Sequence, residues 1–267
     1  MHGFALNDIF KIGIGPSSSH TMGPMHAAQH FMSNLDQNLG NGPLKVTVTL
    51  HGSLAATGDG HGTPGAVAAG LGGHHYETVT LPDIESICDV ATATGVMRSL
   101  SGHDIHFNPS NDLLRDMQPL ASHPNGMTFR AWVGDALIDE KQYFSVGGGM
   151  VEDHRGQTLA TSPTPVGDAP FSYKSMEELV RWCDQEKLSI AQLQARNEHF
   201  CLKREEYDPI AAKLWAVMSD CIDRGLSTEG QLPGGLNVKR RASTLWNRLL
   251  NNSHGDKAPA NAAQRAM

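Results

Sequence analysis

Aromatic side chains are scarce in this 267-residue chain, at 6% of the total. Charged residues reach only 18%, and 21 Lys and Arg against 28 Asp and Glu leave a net charge of −7 with His neutral. That balance excludes a globally basic surface of the kind that takes nucleic acid. Apolar runs are short as well. None approaches the ~18 uninterrupted residues of a membrane span, so no membrane partner is expected. Residues 1–11 carry Asp8 and Lys11 and no apolar core of signal-peptide length, which points to a cytoplasmic protein. Cys-x-x-Cys pairs are missing: Cys88, Cys183, Cys201 and Cys221 stand 95, 18 and 20 residues apart. Such spacing without a secretion signal argues against a disulfide framework, and the four read as free, mostly buried thiols. His74 and His75 are adjacent and cannot share a helix face, and no His-x-x-x-His pair has a third ligand nearby, so no metal ligand is assigned.

Glycine, in contrast, is abundant at 28 residues, which indicates many tight turns. The first 160 residues read as an α/β domain. Thr21 and Pro24 suit the start of a helix that runs through Ala27, Ala28, Phe31 and Leu35, and the Asn41-Gly42-Pro43 turn follows. Leu44 to Leu50 alternates apolar and polar residues strictly, the pattern of a half-buried strand. Further strands are expected at 76–81, 104–107, 127–133 and 136–146, the last two joined by a Gly134-Asp135 hairpin turn, and further helices at 63–71 and from Pro82-Asp83 through Ala91. Residues 156–170, rich in Pro, Ser, Thr and Gly, read as a linker. Beyond it, residues 161–250 read as an all-α region that is incomplete, and 251–267 as a disordered tail. Ser175 to Glu178 and Ser189 to Gln192 have capping-box spacing. From Asp208-Pro209 the residues Ile210, Leu214, Val217, Met218, Cys221 and Ile222 form one apolar stripe, expected to face the core, with Gly225 ending the helix. A last helix candidate covers 242–250.

Two segments carry chemistry. In Gly13-Ile14-Gly15-Pro16-Ser17-Ser18-Ser19-His20-Thr21-Met22-Gly23-Pro24, four hydroxyls and an imidazole precede a helix. Helix N–H groups and hydroxyl donors together suit a carboxylate or phosphate, and His20 adds a group that can transfer a proton. Ser18 stands where a dinucleotide fingerprint needs glycine, so the Gly13-x-Gly15 pair is not one. The second segment, Gly52-Ser53-Leu54-Ala55-Ala56-Thr57-Gly58-Asp59-Gly60-His61-Gly62-Thr63, leaves the end of a strand, where open α/β sheets place ligands. His61, between two glycines, is accessible enough to act as a base. Ser145-Val146-Gly147-Gly148-Gly149 reads as a hinge or a close backbone contact, and Lys239-Arg240-Arg241 as a solvated helix start.

Taken in order, GIGPSSSHTMGPM, GSLAATGDGHGT, YFSVGGGMV and CIDRGLSTEGQLPGGLNVKRRA resemble the bacterial iron–sulfur L-serine dehydratases of the single-chain type. The resemblance covers roughly residues 5 to 250. It implies conversion of L-serine to pyruvate and ammonia without pyridoxal phosphate. It also implies a 4Fe–4S cluster that activates the substrate hydroxyl as a Lewis acid, and a homodimer in the intact enzyme. Carried over by motif, Ser17, Ser18, Ser19, His20 and Thr21 hold the substrate, while His61 is the candidate catalytic proton-transfer group, with His20 as competitor. In the family the cluster rests on three cysteines late in a longer chain. This sequence therefore resembles the N-terminal portion, and the cluster ligands are expected to be absent from it. Two other readings stand beside the enzyme: a non-catalytic module that binds or senses a small amino acid, and an anion- or nucleotide-binding domain unrelated to serine. Anaerobic reconstitution of the chain with iron and sulfide is expected to give neither a cluster absorption band nor pyruvate from L-serine.

Overall fold

Strict alternation forces one face of a strand into the core, and the segment after Pro43 obeys it. The structure is a computed structural model that describes residues 6–35, 43–159, 169–201, 204–232 and 237–252. The described residues form two compact units. One holds residues 12–159 with 232 and 237–238; the other holds 6–11, 169–231 and 239–252. In chain order the elements of the second unit begin with the short helix α1 (Leu6–Ile9), whose Leu6 N–H donates to Glu198 Oε2 at 2.9 Å.

The first unit is a mixed sheet backed by helices. Its elements are α2 (Gly23–Leu35), β1 (Leu44–His51), α3 (Gly52–Thr57), α4 (Thr63–Leu71), α5 (Leu81–Thr94), β2 (Val96–Arg98), β3 (Asp104–His106), β4 (Leu113–Asp116), β5 (Gly126–Val133), β6 (Ala136–Gly147) and β7 (Met150–Asp153). The strand order is β2-β3-β1-β5-β6-β7, with β4 also paired to β1. β3 and β4 run parallel to β1 along one edge, opposite its start and its end. β5 runs antiparallel along the other edge, with Val48 opposite Phe129. Leu44, Val46, Val48 and Leu50 are buried, whereas Lys45 is exposed and Thr47 and Thr49 are half-buried. The buried side chains meet Ala27, Ala28 and Phe31 of α2 and Val67, Ala68 and Leu71 of α4 in one cluster. Phe31 sits 5.3 Å from Phe129, ring centre to ring centre, and Tyr143 of β6 is 5.6 Å beyond.

The strand expected at 76–81 does not form. Tyr76 is buried with Met22, Met25, Ala66 and Val79, and residues 76–78 make a turn. A local cap overrides the alternation there. The Thr80 hydroxyl accepts from the Asp83 N–H while the Asp83 carboxylate accepts from the Thr80 N–H, and with Pro82 in the first turn this starts α5. The glycine triplet is neither a hinge nor a close contact. Gly147, Gly148 and Gly149 all take positive φ (104°, 60° and 76°) and make the tight turn between β6 and β7.

The second unit continues with α6 (Met176–Glu186), α7 (Ile190–Cys201), α8 (Arg204–Ser227) and α9 (Ala242–Asn252). Ser175 caps α6, its hydroxyl accepting from the Glu178 N–H, and Ser189 and Gln192 exchange the two bonds of a capping box at α7. Asn197 clamps the backbone of Phe171 through both its amide atoms, at 3.0 and 3.1 Å. The apolar stripe does not face a core. α8 begins at Arg204, carries Pro209 inside it and passes Gly225 to end at Ser227. Val217, Met218, Cys221 and Ile222 are exposed, and Ile210 and Leu214 are half-buried. Periodicity states which residues share a face; it does not state what covers that face. The three described thiols are likewise less buried than expected: Cys88 and Cys183 are half-buried and Cys221 is exposed, while the Cys201 side chain lies outside the described residues. No helix among the described residues is long and apolar enough to cross a membrane. The Asn41-Gly42 turn lies outside the described residues, as do 160–168 of the linker and 253–267 of the tail.

Phe129 lies at the centre of the β1–β5 ladder and is fully buried. Phe129→Ala is expected to cost about 3–5 kcal/mol by removing that burial and leaving a cavity, read as a lower urea midpoint for the α/β unit.

Candidate functional site

The loop before α2 is shaped by its own hydroxyls. Ser17 has extended backbone (φ −134°, ψ 134°), and its Oγ accepts from the His20 N–H at 3.2 Å. Ser17, not Thr21, is thus the cap. Residues 18–22 then make a π-type turn that runs directly into α2. Gly23 is needed where that turn meets β6: a Cβ there would lie 2.2 Å from Oγ of the fully buried Ser145.

The second glycine-rich segment is not an open loop. It folds as α3 and a 3-10 turn over Asp59–His61, and Gly62, at φ 69°, lets the chain reverse into α4. Gly52 takes φ +53° where a Cβ would meet the Pro124 carbonyl at 2.6 Å, so a side chain is doubly excluded there. These turns bring the two segments together. The Thr21 hydroxyl donates to the His61 carbonyl at 2.7 Å, and the Thr63 hydroxyl donates to the His20 carbonyl at 2.5 Å. The two imidazole rings stand 4.9 Å apart, centre to centre, tilted by 46°.

Around those rings the hydroxyls are close. His20 Nδ1 is 2.8 Å from Ser19 Oγ, which is 3.4 Å from Ser17 Oγ. His20 Nε2 is 3.2 Å from Ser53 Oγ. A neutral imidazole has one donor and one acceptor nitrogen, so one of these serines accepts from His20 and the other donates to it. Burial first, and His61 second, hold the His20 pKa below its ordinary value of 6.5, against a weaker raising effect of the bond to Ser53. His61 Nδ1 is 2.8 Å from the Thr57 carbonyl. A carbonyl can only accept, so Nδ1 bears the hydrogen and in the neutral ring Nε2 keeps the lone pair.

Of the residues singled out from sequence, Ser17, Ser19, His20, Thr21 and His61 converge. Ser18 does not: its side chain is exposed, and its carbonyl accepts from the Gly23 N–H. Ser53, Thr57 and Thr63 join the site without having been anticipated. The 4Fe–4S cluster implied by the resemblance finds no fit here. Among the described residues no group of three or more His, Cys, Asp and Glu side chains could hold a metal ion. Burial also pushes the Cys88 thiol up, away from the thiolate that iron requires.

The fold and site thus define an α/β protein that presents a hydroxyl-and-imidazole cradle at the end of its central strand. Residues 5–156 match the family model described as the serine dehydratase beta chain, and this chain belongs to that family. It is 38% identical over 258 residues to the L-serine dehydratase TdcG of Escherichia coli (strain K12), covering 95% of this chain and 56% of that protein. Against L-serine dehydratase 2 of the same strain the identity is 40% over 247 residues, covering 91% of this chain and 53% of the relative. Against the L-serine dehydratase of Streptomyces coelicolor it is 40% over 254 residues, covering 93% and 55%. The chain spans about half the length of the curated relatives it matches.

Three histidines of this unit, His20, His30 and His51, are held below 6.5, in each case chiefly by burial. Such groups take up protons more readily when unfolded. Their contribution to stability is present above the unfolded value and lost as pH falls below about 6.5 toward their folded values. Urea titrations between pH 8 and 5 are expected to show the α/β unit weakening below that point, with a shallower fall in His20→Gln.

Proposed function

We propose that this chain serves the dehydration of L-serine to pyruvate and ammonia, and that the cradle around His20 and His61 is where the amino acid sits. The observation that carries this reading is the convergence of both imidazoles and three serine hydroxyls at the end of β1, in a chain about 40% identical to proteins named L-serine dehydratase. Hydroxyl donors of Ser17, Ser19 and Ser53 suit the carboxylate of a small amino acid. His20, whose partial burial disfavours the charged form, can in its neutral form both accept and donate without adding charge beside its neighbour. His61 supplies the base. Its Nδ1–H is committed to Thr57, so the lone pair on Nε2 is free to take the Cα proton. Loss of that proton, with the β-hydroxyl taking up a proton and leaving as water, gives 2-aminoacrylate, whose imine tautomer is hydrolysed to pyruvate and ammonia.

Calorimetric titration of the chain with L-serine is expected to show binding, with no heat from a panel of nucleotides. Ser19→Ala and His20→Ala should weaken L-serine binding about tenfold or more, the loss typical of a hydrogen bond to a charged group. His61→Gln should leave binding within about threefold, as expected of a group that acts on the proton rather than the carboxylate. Nucleotide binding in place of L-serine would overturn this reading.

A further inference from the structure

The strand β4 ends in two charged residues that lie against the scaffold beneath the cradle, and one of them is bonded to it. Arg115 Nη2 pairs with Asp59 Oδ1 at 2.5 Å. Asp59 opens the 3-10 turn whose last residue is His61. Asp116 Oδ2 lies 3.5 Å from His51 Nδ1, and His51 Nε2 is 3.0 Å from Thr128 Oγ1. His51 and Thr128 are both buried. His51 is the last residue of β1, and the next residue begins α3, which carries Ser53 and Thr57, the partners of His20 and His61.

The ladder sets these contacts. Arg115 lies opposite Leu50 and Asp116 opposite His51 in the parallel pairing of β4 with β1. Successive residues of a strand point to opposite faces, so Arg115 and Asp116 lie on opposite sides of the sheet. Leu50 belongs to the helix-covered core face, which puts Arg115 on the side of the turn it grips. Asp116 also accepts from the Gln118 N–H, so it is not free to swing away from His51.

We propose that Arg115 is a positioning residue for the cradle, and that it acts by holding the Asp59–His61 turn where His61 Nδ1 reaches the Thr57 carbonyl. Its consequence for ligand binding rests on the serine reading above; its consequence for His61 does not. The Arg115–Asp59 pair is exposed on the Asp59 side (64%), and exposed pairs contribute little to global stability. A change at His61 is therefore separable from loss of the fold.

Nitrogen-15 NMR of the histidine rings in the full chain tests this. Free histidine in water favours the Nε2–H form, so a His61 fixed as Nδ1–H is a distinctive signal. Arg115→Ala and Asp59→Asn are each expected to release His61 toward a mixture of tautomers while Tm moves by less than about 4 °C. L-serine binding should weaken up to about tenfold in either variant, and no further in the two combined, since both break one contact. The exchanged pair, Asp59→Arg with Arg115→Asp, should restore the Nδ1–H form. If Arg115→Ala does not fold, Asp59→Asn, which keeps shape and loses charge, decides alone. An Nδ1–H signal unchanged in Asp59→Asn would overturn the proposal, as would its absence from the unmodified chain. If L-serine binds neither the parent nor the variants, the serine reading fails, and the tautomer still decides for or against the clamp.

Discussion

Two hydrogen bonds that cross between distant segments hold this site together. Each catalytic candidate has its own carbonyl gripped by a hydroxyl that neighbours the other: Thr21, next to His20, holds His61, and Thr63, two residues past His61, holds His20. Neither imidazole can drift without breaking a bond that also locates its counterpart. The remaining features serve that crossing. Ser17 winds the turn that presents His20, Gly62 reverses the chain after His61, and Gly23 lets the turn lie flush against β6.

A half-buried imidazole whose surroundings disfavour its charged form is an economical centre for such a site. Surrounded by hydroxyls, His20 can exchange donor and acceptor roles with Ser19 and Ser53 as a ligand arrives, at no cost in ionisation. His61 differs because its Thr57 contact is to a carbonyl, which has only one role to offer. Two histidines about 5 Å apart are therefore made unlike by their partners alone: one versatile, one committed.

Much of the scaffold was legible because local rules decided it. The alternation of Leu44 to Leu50, the hairpin at Gly134-Asp135, the hydroxyl cap at Ser175 and the box at Ser189 are all short-range patterns, and each appears in the structure; at Ser175 the box stays half-made, because the Glu178 carboxylate accepts from the Lys174 N–H instead. Failures fall where a competing term was not visible in the pattern. A cap at Thr80 defeated the alternation of Tyr76 to Leu81, and the α8 stripe had no partner encoded in its own spacing. Of the cradle, the serine-rich loop and His61 stood out by composition and by the family resemblance. Ser53 and Thr63 did not, since isolated hydroxyls beside a glycine-rich stretch carry no periodic signature and their bonds span more than thirty residues. Ser18 looked equivalent to its neighbours in sequence, but a turn of this kind can aim only some of three consecutive side chains inward.

The central strand β1 finds its partners late. Val48 must wait for Leu113 on one side and Phe129 on the other. Such non-local pairing delays folding, and the backbone edges of the strand stay unpaired in the meantime. On the ribosome, residues 44–51 therefore emerge with both edges of the strand unpaired, although α2 and α4 can already cover its apolar face. The turn that presents His20 rests against β6, so the cradle comes into being only after synthesis has passed well beyond the last residue that lines it.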